Sequence, residues 1–512
     1  MRLTRRQTVA ALAMAGIGTV RNSRAETDAP RRGGTLNVMV SLDVKSLDPL
    51  FGNSGVDRKV FNLYAECLLF QDENGELQPW LAERWEVADG GKTATFFLRR
   101  DVVFQDGTHF DAAAAKFNLD RLLDPKSVPY PRQFVREFQS VEIVDDYTVR
   151  AHLASPSVMF LPMMAAEAGA MMSPAAIRAK GDAFGKSPVG SGPFRVVSRG
   201  SDEIVTERSE NYWRNGADGK KLPYLDGVRI TINPNSAVRL LQLESGSAQL
   251  GDPVSAKDFA RVRASTKLTL LDAPLGSAYV ISFNVTRPPL DNIDLRRALS
   301  LAIDREAFVK VITLGYGVAL KGIEPPQSWV YDASLRGHVY DPGAAKAAYV
   351  KSGHSGPLTL TIVQRDPDTQ IAEMMQQMYK RIGVDLRIEA MERLAYFEKV
   401  LAFKTDLSMA QTPLQRQDVD TQYTLAYSRT ASSNFGGVKD EELFSLCDQA
   451  HVDLDRPSRK ALYVRIQQLI LDKYYLTYLL WNPTREVAVR QLKGIRHDGT
   501  NIWLYDQMWL AT

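Results

Sequence analysis

The chain has 512 residues, 45% of them hydrophobic and 24% charged, with a formal charge of +3. That ordinary globular balance excludes wholesale disorder, a collagen-like repeat and a low-complexity chain, and the length suggests about two to three domains. Two cysteines exclude a disulfide scaffold or a cysteine-built zinc array, and the near-neutral charge gives no reason to expect nucleic acid as a partner. The six histidines (His109, His152, His338, His354, His451 and His497) never fall within five residues of one another, so none forms a local metal-ligand pair.

The first segment reads as an export signal. Arg2, Arg5 and Arg6 open it, Thr8 to Val20 form a short apolar run, and Ser23-Arg24-Ala25 offers small residues where a signal peptidase reads. The run falls short of the roughly 20 residues a membrane-spanning helix needs. Thr4-Arg5-Arg6-Gln7-Thr8-Val9 resembles the twin-arginine motif, although Thr8 stands where a bulky apolar residue is usual. The competing reading is an ordinary soluble N-terminal helix. Cleavage after Ala25 takes away five arginines and no acid, turning +3 into −2 over the remaining 487 residues. No cysteine follows the cut to suggest a lipid anchor, and no later segment is apolar enough to predict a transmembrane helix.

The body reads as mixed α and β structure. Thr35–Val40 is a short strand candidate. Trp85–Val87 and Thr93–Leu98 flank Ala88-Asp89-Gly90-Gly91, a hairpin signal, and Ala94, Phe96 and Leu98 share one face. Asp111–Leu123 has helical spacing and ends at Asp124-Pro125. A helix pair follows over Asp294–Leu314, with Asp294 and Asp304 as caps, Leu295, Leu299 and Ile303 along one helix, and Phe308, Val311 and Ile312 along the other. In Leu358–Glu389 a strand (Leu358, Leu360, Ile362) precedes Asp366-Pro367, read as a cap and first helical position. Helically spaced Ile371, Met374, Met375, Met378 and Ile382 follow, then Gly383 as a stop and a second strand of Val384, Leu386 and Ile388. Strand, helix and strand within about 30 residues predict a βαβ unit and a parallel sheet. Near the end, Pro457–Ile470 reads as a helix with Ala461, Leu462, Ile466, Leu469 and Ile470 inward, and Tyr474–Trp481 as a strand.

Catalytic motifs are not found. There is no phosphate loop, no His-Glu-x-x-His helix and no Gly-x-Ser-x-Gly elbow. Gly315-Tyr316-Gly317 lacks the third glycine of a dinucleotide site. The pairs Asp145-Asp146 and Glu441-Glu442 read as surface acids, and Cys67 and Cys447 as separate buried thiols, with a disulfide between them as the alternative. No metal or cofactor is expected.

A dozen blocks, in order, resemble the extracytoplasmic solute-binding proteins of ABC transporters, in the peptide/nickel/opine-binding family (family 5). They begin with Leu47-Asp48-Pro49 and Gly75-x-Leu77-x-Pro79-Trp80-Leu81-Ala82-x-x-Trp85. The most specific is Leu98-Arg99-x-x-Val102-x-Phe104-x-Asp106-Gly107-x-x-Phe110-x-Ala112. Pro188-Val189-Gly190-Ser191-Gly192-Pro193-Phe194, Asn211-Tyr212-Trp213, Phe283-Asn284, Arg296-Arg297-Ala298-Leu299, Ala302-Ile303-Asp304-Arg305 and Tyr340-Asp341-Pro342 continue the series. Most of these positions read as core and turns, since Asp-Gly is first a turn signal.

The resemblance implies an α/β, two-lobed periplasmic-binding-protein fold of type II-like architecture, with an inserted extra domain and a hinge between lobes. Lobe I would be built from 30–50, 187–282 and 485–512, the insertion from 51–186 and lobe II from 283–484. The implied function is capture of a small solute, a peptide or other carboxylate-bearing, opine-like compound, and its delivery to ABC permease subunits in the inner membrane. The protein would be a periplasmic monomer that is not an enzyme, cut near Ala25-Glu26. An exported hydrolase, or a binder coupled to chemoreception, are the alternatives. Arg365 follows a strand at its carboxyl end, where open parallel sheets bind ligands, and would clamp a carboxylate, the competing reading being a solvated arginine in a loop. Its loss is expected to weaken binding and spare the fold, since the position is a loop. In relatives an acid near residues 415–420 meets the ligand amine. Here Arg416 stands near that position, so either Asp418 or Asp420 would take the role or the ligand offers no free amine there. Asn434 and Gly436 belong to a segment that faces the cleft in relatives.

Overall fold

Two long strands, Leu268–Phe283 and Leu476–Val489, run antiparallel through the middle of an eleven-stranded sheet. This computed structural model describes residues 29–511 except 45, 53, 128, 414–417 and 430. The export-signal reading and Arg416 lie outside the described residues. On one side of the long pair the sheet continues through Leu250–Gly251, Thr35–Val40, Gly227–Ile232, Glu203–Arg208 and Phe194–Arg199. On the other side it continues through Leu407–Pro413, Leu358–Val363 and Leu386–Met391. The two halves of the sheet are the centres of two lobes, and the long strands belong to both.

Side-chain alternation explains how one strand serves two layers. Tyr279, Ile281 and Phe283 enter a core with Leu360, Ile371 and Leu407, whereas Ala278 and Val280 enter another with Tyr423, Tyr463 and Ile466 on the opposite face. The first lobe has its own core around Leu36, Val38, Phe194, Ile230 and Val487. A further core, with Phe96, Phe104, Phe110 and Phe138, lies under a four-stranded antiparallel sheet of Ala82–Ala88, Thr93–Leu98, Thr148–Leu153 and Phe138–Asp145. Val56, Phe61 and Tyr64, together with Ala176 and Phe184, pack in the first lobe's core although they fall within the segment 51–186.

The long pair breaks register twice, at Tyr279/Val280 and, by more residues, between Asp272 and Gly276. Asp272 faces Arg485 and Gly276 faces Pro483, so residues 273–275 bulge opposite Thr484. The bulge keeps its hydrogen bonds through a side chain. Asn501 Oδ1 accepts from Leu275 N at 2.6 Å, and Asn501 Nδ2 donates to Leu275 O at 2.9 Å. Gly276 is required here, because a Cβ would stand 2.4 Å from the Asn482 carbonyl oxygen.

Several predicted elements form as read. Thr35–Val40 is a strand, and the hairpin closes with Ala88 opposite Thr93, burying Ala94, Phe96 and Leu98. The βαβ unit consists of Leu358–Val363, Asp368–Arg381 and Leu386–Met391, its strands parallel and in register from Leu358↔Leu386 to Val363↔Met391. Gly383, at φ 96°, follows the helix as its stop. Both thiols are free and buried, in different cores.

Details differ. Asn292, two residues earlier than Asp294, caps Ile293–Leu301 by accepting from Asp294 N at 2.9 Å, because the helix starts sooner. The βαβ helix starts at Asp368, not at Pro367, and has no side-chain cap. Val311 is 43% exposed and Ala461 faces solvent. In the last helix, Arg456–Asp472, Tyr463 takes the inward place. The final strand is longer than read, since Asn482 to Val489 continue it into the first lobe. Among the described residues no helix is long and apolar enough to cross a membrane.

Candidate functional site

A cavity of about 500 Å³ opens beside the long pair. Its wall comes mostly from the second lobe: Val280 and Ser282 of the long strand, Met409–Thr412, the Thr421–Tyr427 helix face and the Ser432–Gly436 loop. Tyr130 and Gln133, from the antiparallel-sheet body, close the other side. The volume falls in the range of pockets that enclose drug-sized ligands.

Arg365 lines this cavity. It stands just beyond Leu358–Val363, at the end of the parallel strands where the chain turns into the helix. Its Nε donates to Asp368 Oδ2 at 3.0 Å, and neither Nη group has a partner among the described residues. The pair is asymmetric, with the arginine side chain 43% exposed and the aspartate 1%. Burial pushes the Asp368 carboxyl up, and the Arg365 charge only partly offsets it. Asp368 Oδ1 has no partner among the described residues. Arg365 therefore also holds a buried carboxylate. The expectation that its removal would spare the fold is corrected on that ground.

Arg393 lines the same cavity, at the first turn of the helix Arg393–Leu401. Its guanidinium carbon lies 5.7 Å from the Phe397 ring centre, and it forms no ion pair among the described residues. The sequence reading missed this residue. The signal was available: Leu386–Met391 is parallel to the Arg365 strand and in register with it, so its carboxyl end opens on the same edge.

The other named residues divide. Asn434 and Gly436 line the cavity. The Asn434 side chain is committed to its own loop, its Oδ1 accepting from Val438 N at 2.9 Å and its Nδ2 donating to Val438 O at 2.8 Å. Gly436 permits close backbone approach. Its carbonyl accepts from Val285 N at 2.9 Å, and a Cβ would come within 2.8 Å of the Phe283 oxygen. Asp418 and Asp420 are turned elsewhere. Asp418 pairs with Arg459 and faces a second, more open hollow of about 700 Å³. Asp420 is buried; its oxygens take hydrogen bonds from Tyr463 (2.7 Å), Thr424 (2.8 Å) and His451 Nδ1 (2.8 Å).

His451 is a bridge between bodies. Besides Asp420 it meets Glu137, on the antiparallel-sheet body, through Nε2 at 3.2 Å, and its carbonyl accepts from Val158 N at 3.0 Å. Burial alone would lower its pKa, but the hydrogen bonds and charges of Asp420 and Glu137 outweigh that and hold it at about 9. At neutral pH it is an imidazolium donating from both nitrogens.

Aromatic rings make up much of the cavity wall. Three hydroxyls are spent inside the protein: Tyr396 on Met409 O at 2.8 Å, Tyr423 on Glu324 at 2.7 Å and Tyr475 on Asp440 at 2.7 Å. The hydroxyls of Tyr427 and Tyr478 carry no hydrogen bond among the described residues, and both rings line the cavity.

A ligand-sized cavity walled by one lobe of a hinged α/β pair and closed by a second body defines a solute-binding protein. Residues 76–434 match the family described as bacterial extracellular solute-binding proteins, family 5, middle. The chain belongs to that family, the family 5 solute-binding proteins of ABC transporters. It is 32% identical over 359 residues to the glutathione-binding protein GsiB of Salmonella paratyphi A, covering 69% of each chain. Among solved structures it is similar to the substrate-binding protein CtaP of Listeria monocytogenes, with a TM-score of 0.84 and 23% identity over 94% of this chain and all of that one. It is also similar to DppA of Helicobacter pylori, solved with the peptide STSA, with a TM-score of 0.81 and 24% identity over 94% of this chain and 99% of that one. These two likenesses confirm the fold.

Proposed function

We propose that the protein is the capture subunit of an ABC importer. It takes up one small solute bearing at least one carboxylate, a peptide or opine-like compound, and presents it to permease subunits in the inner membrane. The site is the cavity beside the long strands, and Arg365 is the clamp. The observation that carries this reading is a guanidinium at the carboxyl end of a parallel strand whose two Nη groups have no partner among the described residues and whose residue lines a cavity of about 500 Å³. Two parallel N–H groups match a carboxylate edge. Arg416, Asn434 and Gly436 complete the proposed surroundings, with Asn434 and Gly436 shaping the loop. Asp418 and Asp420 are proposed as interior struts, because their oxygens are already engaged.

The proposed division of the chain is an insertion at 51–186 between segments 30–50, 187–282 and 485–512 of lobe I, with lobe II at 283–484. The distinct cores around Phe96 and Phe138, around Leu36 and Val487, and around Leu360 and Leu407 support it in outline, although Val56, Phe61, Tyr64, Ala176 and Phe184 join the first lobe's core. The proposed location is the periplasm, as a monomer, after a twin-arginine signal is cut near Ala25-Glu26.

The test is isothermal titration of the mature protein with the solute identified by mass spectrometry of protein purified without added ligand. One solute per chain is expected, unaltered after incubation. At a hundredfold excess over the dissociation constant, binding should stabilise the protein by about 2.7 kcal/mol. Cleavage of peptides or opines by the pure protein would overturn the reading.

A further inference from the structure

We infer that the solute is an anion without an ammonium group: an N-blocked peptide or an organic mono- or dicarboxylate with an apolar or aromatic body. This rests on the proposed capture function and narrows its ligand. The sign of the cavity carries the inference. Of the described residues that line it, two are charged, Arg365 and Arg393, and both are cations. Acids stand nearby, and none reaches the cavity surface. Asp368 is buried under Arg365, and Asp366 beside it is not part of the lining. Glu392 accepts from Leu394 N at 2.7 Å as a helix cap. Glu324 is buried behind Tyr423 and Gln422. Asp420 is fully engaged with His451, Tyr463 and Thr424, and Asp418 faces the other hollow. Residues 414–417 read Leu-Gln-Arg-Gln and contribute no carboxylate by sequence.

A ligand ammonium brought into such a space would lose water, meet two like charges and find no carboxylate. Unpaired charge in a partly desolvated site is disfavoured, and like-charge juxtaposition adds to the penalty. A carboxylate meets the reverse situation. Arg365 offers its free Nη pair, and Arg393, held against Phe397, supplies a second cation for a second acidic group. The rest of the wall suits the remainder of such a molecule. Val280, Ile323 and Met409 offer apolar contact, and the Tyr427 and Tyr478 hydroxyls are free to meet a carbonyl or amide.

The experiment is a thermal-shift screen of the mature protein, followed by titration, with matched probes. One set is free dipeptides, a second is the same dipeptides N-acetylated, a third is the C-terminal amides, and a fourth is aliphatic and aromatic dicarboxylates. Stabilising compounds should fall among the N-acetylated peptides and dicarboxylates, each N-acetylated binder exceeding its free counterpart at least tenfold in affinity, with the amides inactive. Arg393→Gln, which breaks no ion pair and should fold normally, should weaken the best binder at least tenfold. Free dipeptides binding as tightly as, or more tightly than, their N-acetylated forms would overturn the inference while leaving the capture function standing. So would undiminished affinity in Arg393→Gln. If no probe of any set stabilises the protein, the inference falls; if solutes of a cell extract also fail, the capture reading falls with it.

Discussion

Replacing Arg365 with alanine should do two things at once, and a second substitution separates them. The guanidinium donates from Nε to Asp368 at 3.0 Å, and the aspartate side chain is 1% exposed. Removing the arginine leaves that carboxylate buried with neither oxygen satisfied, since Oδ1 already lacks a partner. Breaking a fully buried pair costs about 3–5 kcal/mol, but the arginine is 43% exposed and water will partly replace it, so a loss near about 2 kcal/mol is expected at pH 7. Burial already holds the Asp368 carboxyl above its ordinary value. Without Arg365 that rise grows, so the charged form is penalised above the ordinary carboxylate range. The penalty should fade as acid protonates the group. Arg365→Ala combined with Asp368→Asn should recover most of the stability at pH 7. It should not recover affinity, which should stay roughly 30-fold or more below the native value, because a carboxylate clamp costs about 2–5 kcal/mol when unmatched. Urea unfolding followed by tryptophan fluorescence, at pH 7 and at pH 4.5, with titration calorimetry alongside, reads both effects. A double variant no more stable than the single one, or a single variant with unchanged stability, would refute the account of the pair. Native affinity in the double variant would refute the clamp.

Three further outcomes are expected. His451 titrates at about 9 in the folded protein against about 6.5 unfolded, so its contribution of about 3 kcal/mol is fully present below pH 6.5 and lost as pH rises through 9. Unfolding midpoints should fall over that window, and His451→Gln should flatten the fall; an equally steep profile in the variant would refute it. Both thiols should react in denatured, unreduced protein and neither in the native state, because burial raises both thiols and keeps them protonated; a count near zero after denaturation refutes this. Gly436→Ala should force the Ser432–Gly436 loop away from the Phe283 oxygen and weaken ligand binding at least several-fold while secondary structure, read by circular dichroism, stays unchanged; undiminished affinity would show that the loop position does not shape the site.

Elements set by local periodicity were legible in the sequence. Thr35–Val40 and the βαβ unit follow from alternation and helical spacing, which the packing of each element repeats. Caps were less so, because Asn292 and Asp294 are both good capping residues and the local pattern does not say at which of them the helix starts. At the site, the rule that ligands meet the carboxyl ends of parallel strands found Arg365, and the same rule applied to the neighbouring strand would have found Arg393. Asp418 and Asp420 could not be placed from sequence. Their partners Arg459 and His451 lie 41 and 31 residues away and belong to other helices, so nothing local says that these carboxylates are occupied. The aromatic lining was hidden for a similar reason, being assembled from four separate segments of the second lobe, with Tyr130 of the antiparallel-sheet body, that meet only in the folded protein.

The ribbon of two long strands has a consequence for the energetics of capture. Lobes tethered by loose chain would have to find one another each time a solute arrives, and that search would be charged against affinity as lost orientational freedom. Here the lobes share one hydrogen-bonded ladder, interrupted at residues 273–275 and clasped there by Asn501. Such a joint should resist twisting and sliding and leave bending across the bulge as the softer coordinate. If capture closes the lobes, an empty protein should then already be aimed along that path. Asn501→Ala, by releasing the Leu275 amide and carbonyl, would loosen this aim without touching the cavity wall, so its effect would appear as a lower association rate and a larger entropic penalty, with the contacts to bound solute unchanged.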